Sequence, residues 1–160
     1  MKKGYLKDLN AVVGILLKDS SVKETVDNLK AQIQKSNEPF VWKTIGITPF
    51  KDRLPPDIKS VWTFVLRENT PSVAHYHPNS IQHTLMIEGK GEVKIGKQWK
   101  ELRLFDPQDD ESWCIIDKNV PHEFYPEEQE MVVISLHTCF SHELIEINCD
   151  GGEQRSYEPE

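Results

Sequence analysis

His75-Tyr76-His77-Pro78-Asn79-Ser80-Ile81-Gln82-His83 places three of the chain's six histidines within nine residues. In an extended strand, residues i and i+2 point to the same face. His75 and His77 can therefore turn two imidazoles toward one ion. Pro78, Asn79 and Ser80 interrupt the strand, and the chain resumes as Gln82-His83-Thr84-Leu85-Met86. With Gln82, Thr84 and Met86 facing inward, His83 faces the other way and reads as a surface histidine. A third ligand must then come from a distant strand. Asp117-Lys118-Asn119-Val120-Pro121-His122 is a turn that delivers one. From the residues alone, the stretch is either a metal site or a polar loop rich in histidine.

Outward from this stretch, residues 40 onward alternate short runs rich in Val, Ile, Phe and Trp with turn residues. The runs are 40–47, 60–68, 73–77, 82–88, 91–96, 98–105, 113–117, 121–125, 131–139 and 143–149. Glu88-Gly89-Lys90-Gly91 and Ile95-Gly96-Lys97-Gln98 read as tight hairpin turns. So many short strands in so little chain predict an all-β barrel or sandwich. Residues 5–36 read instead as two helices. Leu6, Leu9, Val13, Leu16 and Leu17 form one apolar stripe, and Val22, Val26, Leu29 and Ile33 a second. Ser21-Val22-Lys23-Glu24 fits a capping box with Ser21 as N-cap. The organisation expected is one domain: a helical extension at 1–37, a β-barrel at 38–149 and a polar, frayed tail at 150–160. The helix pair reads as a packing appendage.

The chain has 160 residues, enough for one domain with a sizeable core, and a formal charge of −7. An acidic chain without a basic cluster argues against nucleic acid or an anionic membrane as partner. The apolar run at Val12-Val13-Gly14-Ile15-Leu16-Leu17 is too short to span a bilayer and lacks the flanks of a signal peptide. Cys114, Cys139 and Cys149 are too few for a disulfide framework, so a cytoplasmic setting is expected.

The pattern His75-x-His77-x4-Gln82-x6-Gly89, followed by Asn119-x2-His122, resembles the paired motifs of the cupin superfamily. The resemblance covers about residues 60 to 140. It implies a mainly β fold, a double-stranded β-helix or jelly-roll barrel, here with two N-terminal helices. It also implies that His75, His77, Gln82 and His122 converge on one divalent metal inside the barrel. A homodimer packed through an outer sheet face is the assembly it implies. Cupins usually carry glutamate at position 82. Glutamine is neutral and a weaker ligand for a hard cation. It either coordinates through its oxygen or stands off and leaves three histidines. In both cases the ion keeps its full positive charge and favours a thiolate, enolate or carboxylate.

Ser135, His137 and Cys139 alternate in Met131-Val132-Val133-Ile134-Ser135-Leu136-His137-Thr138-Cys139 and are expected to share one face. By itself this is a buried histidine satisfied by Ser135. The segment is also similar to one in cysteine dioxygenases and related thiol dioxygenases, which are cupins with three histidine ligands on iron(II). Their Ser-x-His-x-Tyr relay is matched here by Ser135 and His137, with Cys139 at the tyrosine position. Arg53 and Arg67 are the candidates for that family's carboxylate-gripping arginine. The resemblance implies an iron(II)-dependent dioxygenase acting on a small thiol or enolisable molecule, with His137 oriented by Ser135 as proton relay. The competing class is a cupin without redox chemistry. It would be an isomerase or lyase using zinc, nickel or manganese as Lewis acid, or a small-ligand binding module without turnover.

Overall fold

In the computed structural model, residues 3–157 are described. Two helices come first: α1 (Lys3–Lys18) and α2 (Ser20–Gln34). Eleven strands follow: β1 (Phe40–Ile45), β2 (Ser60–Leu66), β3 (His75–Tyr76), β4 (Gln82–Glu88), β5 (Gly91–Ile95), β6 (Gln98–Glu101), β7 (Trp113–Ile116), β8 (His122–Pro126), β9 (Met131–His137), β10 (Ile145–Asn148) and β11 (Gln154–Ser156). They form two antiparallel sheets, ordered β1-β2-β9-β4-β7 and β11-β10-β3-β8-β5-β6. Apart from the pairs β1–β2, β5–β6 and β10–β11, successive strands cross from one sheet to the other, as in a jelly roll, so the mainly β architecture expected from the sequence is the one found.

Strand β9 sits at the centre of the first sheet, paired with β2 and β4. All seven of its residues are buried. Alternation divides them between two layers. Val132, Ile134 and Leu136 face the helices. There they meet Leu9, Val12, Val13 and Leu16 of α1 and Val26, Leu29 and Ile33 of α2. Met131 and Val133 face the second sheet and pack with Met86, Val93 and Phe124. The helix pair thus closes one face of a sheet whose other face forms the barrel wall.

Several local expectations are corrected. Val12 is buried, whereas Leu17 is 44% exposed, so the α1 stripe is Leu9, Val12, Val13 and Leu16. The N-cap of α2 is Asp19, whose carboxylate accepts from the Ser21 amide at 2.8 Å. A carboxylate two residues upstream takes the Ser21 amide that the proposed capping box gave to Glu24. Glu88–Gly91 is not a hairpin turn but a corner between sheets, because β4 and β5 lie in different sheets. Gly89, at φ +104, makes that corner. Ile95–Gln98 is a true hairpin joining β5 and β6, with Gly96 at φ +61. The polar tail is structured as far as Tyr157. Strand β11 pairs with β10, and Tyr157 is 3% exposed, packed with Trp62, Leu144 and Cys139. The part of the expected tail at 158–160 lies outside the described residues.

Candidate metal centre

The second sheet brings the histidines together. His75 on β3 is paired directly with His122, the first residue of β8. His77 follows β3, and the Asn119 amide donates to its carbonyl at 2.9 Å. Asn119 sits at φ +65, a left-handed conformation that asparagine tolerates, in the turn that delivers His122. One ligand atom from each of the three imidazoles lies within 4.8 Å of the other two.

Each ring is held the same way. The Nδ1 of His75 lies 2.7 Å from the Val73 carbonyl, that of His77 2.8 Å from Ile145, and that of His122 3.0 Å from Val120. A carbonyl only accepts, so each Nδ1 carries the proton and donates it. Each Nε2 is left with a bare lone pair. Val73 is at φ +92, a strained setting for a β-branched residue, and its carbonyl anchors His75. Nε2 of His122 is buried and has no hydrogen-bond partner. Three lone pairs converging in a buried space, one of them orphaned, fit a divalent metal ion. Burial first, and the neighbouring His75 next, hold His77 down at about pKa 4. Burial also pushes His122 well below the ordinary histidine range, so both lone pairs stay free of protons at neutral pH.

His75, His77, Gln82, Ser135 and His137 line one cavity of about 40 Å³. That is on the order of three water positions. Phe40, Phe64, Leu66, Phe124 and Val133 make its apolar wall. Gln82 points inward from β4 as expected, opposite His137. Its Nε2 donates to Thr84 at 2.8 Å, and Gln82 lies within hydrogen-bonding reach of His77. The amide oxygen is thereby left for the histidines or an ion.

The expected Ser135–His137 contact is not formed. Ser135 Oγ pairs with Thr84 Oγ1 at 2.7 Å, and His137 Nδ1 pairs with Ser80 Oγ at 2.7 Å. Residues two apart on a strand are separated along its length, whereas Thr84 is directly opposite Ser135. Ser80, in the break between β3 and β4, swings across to His137 instead. Cys139 lies past the end of β9, buried against Trp62, Leu144 and Tyr157, and is not among the cavity-lining residues. Burial raises its thiol pKa. Neither candidate arginine lines the cavity. Arg67 donates to the carbonyls of Glu38, Ile33 and Ser36, tying α2 to β2, and Arg53 is exposed. His83 does face away from the barrel, but it is 2% exposed rather than superficial. It is covered by Tyr5 of α1, with the ring centroids 5.5 Å apart.

Two residues beyond the sequence reading complete the site, and a third stands outside the cavity against the ring of one of them. Glu146 on β10 is 8% exposed and lines the cavity, and Tyr157 beside it donates to Glu146 Oε1 at 2.6 Å. The Arg155 guanidinium stands 4.7 Å from the Tyr157 ring centre and 5.5 Å from that of Phe40. Only Glu146 left a trace in the sequence, as a charge flanked by Ile145 and Ile147. It also changes the charge: the site is not purely neutral, because a carboxylate stands beside the histidines.

Neither a family model nor a curated protein sequence matches the chain. Solved structures do. A cupin-2 domain from Rhodospirillum rubrum superposes with a TM-score of 0.50 at 10% identity, over 74% of this chain and 66% of that one. The protein has the cupin fold. Salicylate 1,2-dioxygenase from Pseudaminobacter salicylatoxidans matches over 71% of this chain and 33% of its own, with a TM-score of 0.53 at 15% identity. The coconut allergen cocosin matches over 71% and 29%, with a TM-score of 0.54 at 16% identity. A dioxygenase and an allergen sharing this barrel show that the cupin fold does not select the chemistry. That selection rests on the site. Among the described residues, no helix is long and apolar enough to cross a membrane.

Proposed function

We propose that this cupin is an iron(II)-dependent dioxygenase that acts on a small thiol or enolisable molecule. The carrying observation is the convergence of three imidazoles, each held through Nδ1 by a backbone carbonyl, with Nε2 of His122 buried without a partner. The ion, when bound, supplies Lewis acidity and, as iron(II), the electrons for oxygen chemistry. The chain supplies the rest. His75, His77 and His122 hold the ion, and Gln82 offers an amide oxygen beside His77. Phe40, Phe64 and Phe124 exclude water and seat an apolar body. His137, anchored through Nδ1 by Ser80, turns its other nitrogen to the cavity, where it holds or passes a proton.

The test is metal analysis of protein purified without added metal or chelator, followed by oxygen uptake with a panel of small thiols. Iron at one per chain and thiol-dependent uptake are expected. His77→Ala is expected to lose stoichiometric metal, and full retention would sink the ligand assignment. A second reading is favoured by one observation: Glu146 and His137 put two proton-transfer groups around one small cavity. An isomerase or lyase using zinc, nickel or manganese needs such a pair. Turnover unchanged under anaerobic conditions would select it.

A further inference from the structure

Glu146 does more than line the cavity. Its Oε1 lies 3.4 Å from Nε2 of His75. The Val73 carbonyl, 2.7 Å away, fixes a proton on His75 Nδ1, so in the neutral ring it is Nε2 that presents a lone pair to Glu146. A carboxylate oxygen also presents only lone pairs. Two acceptors face each other across this gap, and a cation between them turns repulsion into attraction. The spacing suits one: two donors each ~2.1 Å from a single ion, roughly 110° apart, lie roughly 3.4 Å from each other. Tyr157 occupies one lone pair of Oε1 through its hydroxyl and leaves the other free. Glu146 is also the one carboxylate among the described residues that line the cavity. A carboxylate this buried needs compensation beyond one phenol, and a cation shared with His75 supplies it.

We propose that Glu146 is an anionic ligand of the metal, entering from β10 and held in place by Tyr157. The inference rests on the three-histidine metal reading above. The carboxylate absent at position 82 is thus supplied from β10, which flanks β3 on the side away from β8. The ion carries a net single positive charge, which one monoanionic substrate group neutralises. Tyr157 is a positioning residue.

The experiment is titration of the metal-free full chain with cobalt(II), followed by visible absorption, which reports both affinity and ligand set. The wild type is expected to take one cobalt. Glu146→Gln is expected to weaken binding at least about tenfold, on the scale seen when groups supporting a metal site are lost, and to change the cobalt spectrum. Tyr157→Phe is expected to weaken it less. Adding Gln82→Glu to Glu146→Gln is expected to recover affinity, because it returns the negative charge to the same ion; a purely structural Glu146 predicts no recovery. Wild-type affinity and spectrum in Glu146→Gln overturn this inference and leave the histidine site standing. A wild type that takes up no cobalt removes both. If Glu146→Gln does not fold, Glu146→Asp keeps the charge and shortens the reach, and an unaltered cobalt spectrum in that variant overturns the inference.

Discussion

His137 is 1% exposed, and burial followed by the surrounding imidazoles pushes it well below the ordinary histidine pKa. It is therefore a neutral ring at pH 7, able to accept a proton through one nitrogen while the other is anchored. The anchor is Ser80, so Ser80→Ala is expected to lower turnover. His137→Asn is expected to keep the metal and the fold while lowering oxygen uptake by ~10²-fold or more, the scale for losing a proton-transfer group. Ser135→Ala is expected to lower it little, since its partner is Thr84. Equal losses for Ser80→Ala and Ser135→Ala, measured as oxygen uptake at saturating substrate, would restore the relay read from the sequence. The two errors at this scale share a cause. Strand periodicity tells which face a side chain takes, and it placed His75, His77, Gln82 and His137 on the inner one. It says nothing about which inward neighbour a hydroxyl meets across the sheet, nor about a loop residue such as Ser80 that reaches back. Glu146 and Tyr157 escaped for a related reason: the sequence carries no signal that β10 lies beside β3.

Strands were legible wherever they bury side chains. Ten of the eleven lie within, or one residue from, runs visible in the sequence, because a half-buried strand must alternate and one buried on both faces, like β9, is mostly apolar. Strand β11 was not visible. Gln154, Arg155 and Ser156 are all exposed, so no burial pattern marks it; backbone pairing with β10 and the stacking of Arg155 on Tyr157 and Phe40 hold its place. Two substitutions test how elements are joined. Asp19→Ala removes the acceptor for the first turn of α2 and is expected to cost ~1 kcal/mol in urea unfolding. Gly91→Ala is expected to cost more, ~1–3 kcal/mol, since a Cβ there meets the Tyr125 carbonyl oxygen and the Met131 methyl, each at 2.5 Å. A Gly91→Ala protein as stable as wild type would mean that β5 and β9 are not packed as described.

Across the molecule, the buried imidazoles make stability depend on pH in one direction. His77, His83, His122 and His137 all have lowered pKa values, with burial the largest cause in each. A group depressed by folding binds protons in the unfolded chain before the folded one. Its contribution is complete above an unfolded value of about 6.5 and is lost as pH falls toward the folded value. For His77 the window runs from there down to about 4. The metal-free protein is therefore expected to lose several kcal/mol, on the order of 3 from His77 alone, between those limits. Thermal unfolding across that range checks this, and a flat melting temperature would contradict the burial of these rings. The same molecule is uneven in how firmly it holds its parts. His137 rides on β9, walled in on both faces, whereas His75 belongs to β3, which is two residues long. Amides of β9 should exchange with solvent only when the whole domain opens, while β3 can open locally. On the proposed metal reading, an ion held by His75 and His77 is expected to leave through that local opening, with an off-rate faster than global unfolding, so that one metal replaces another in a barrel that never comes apart.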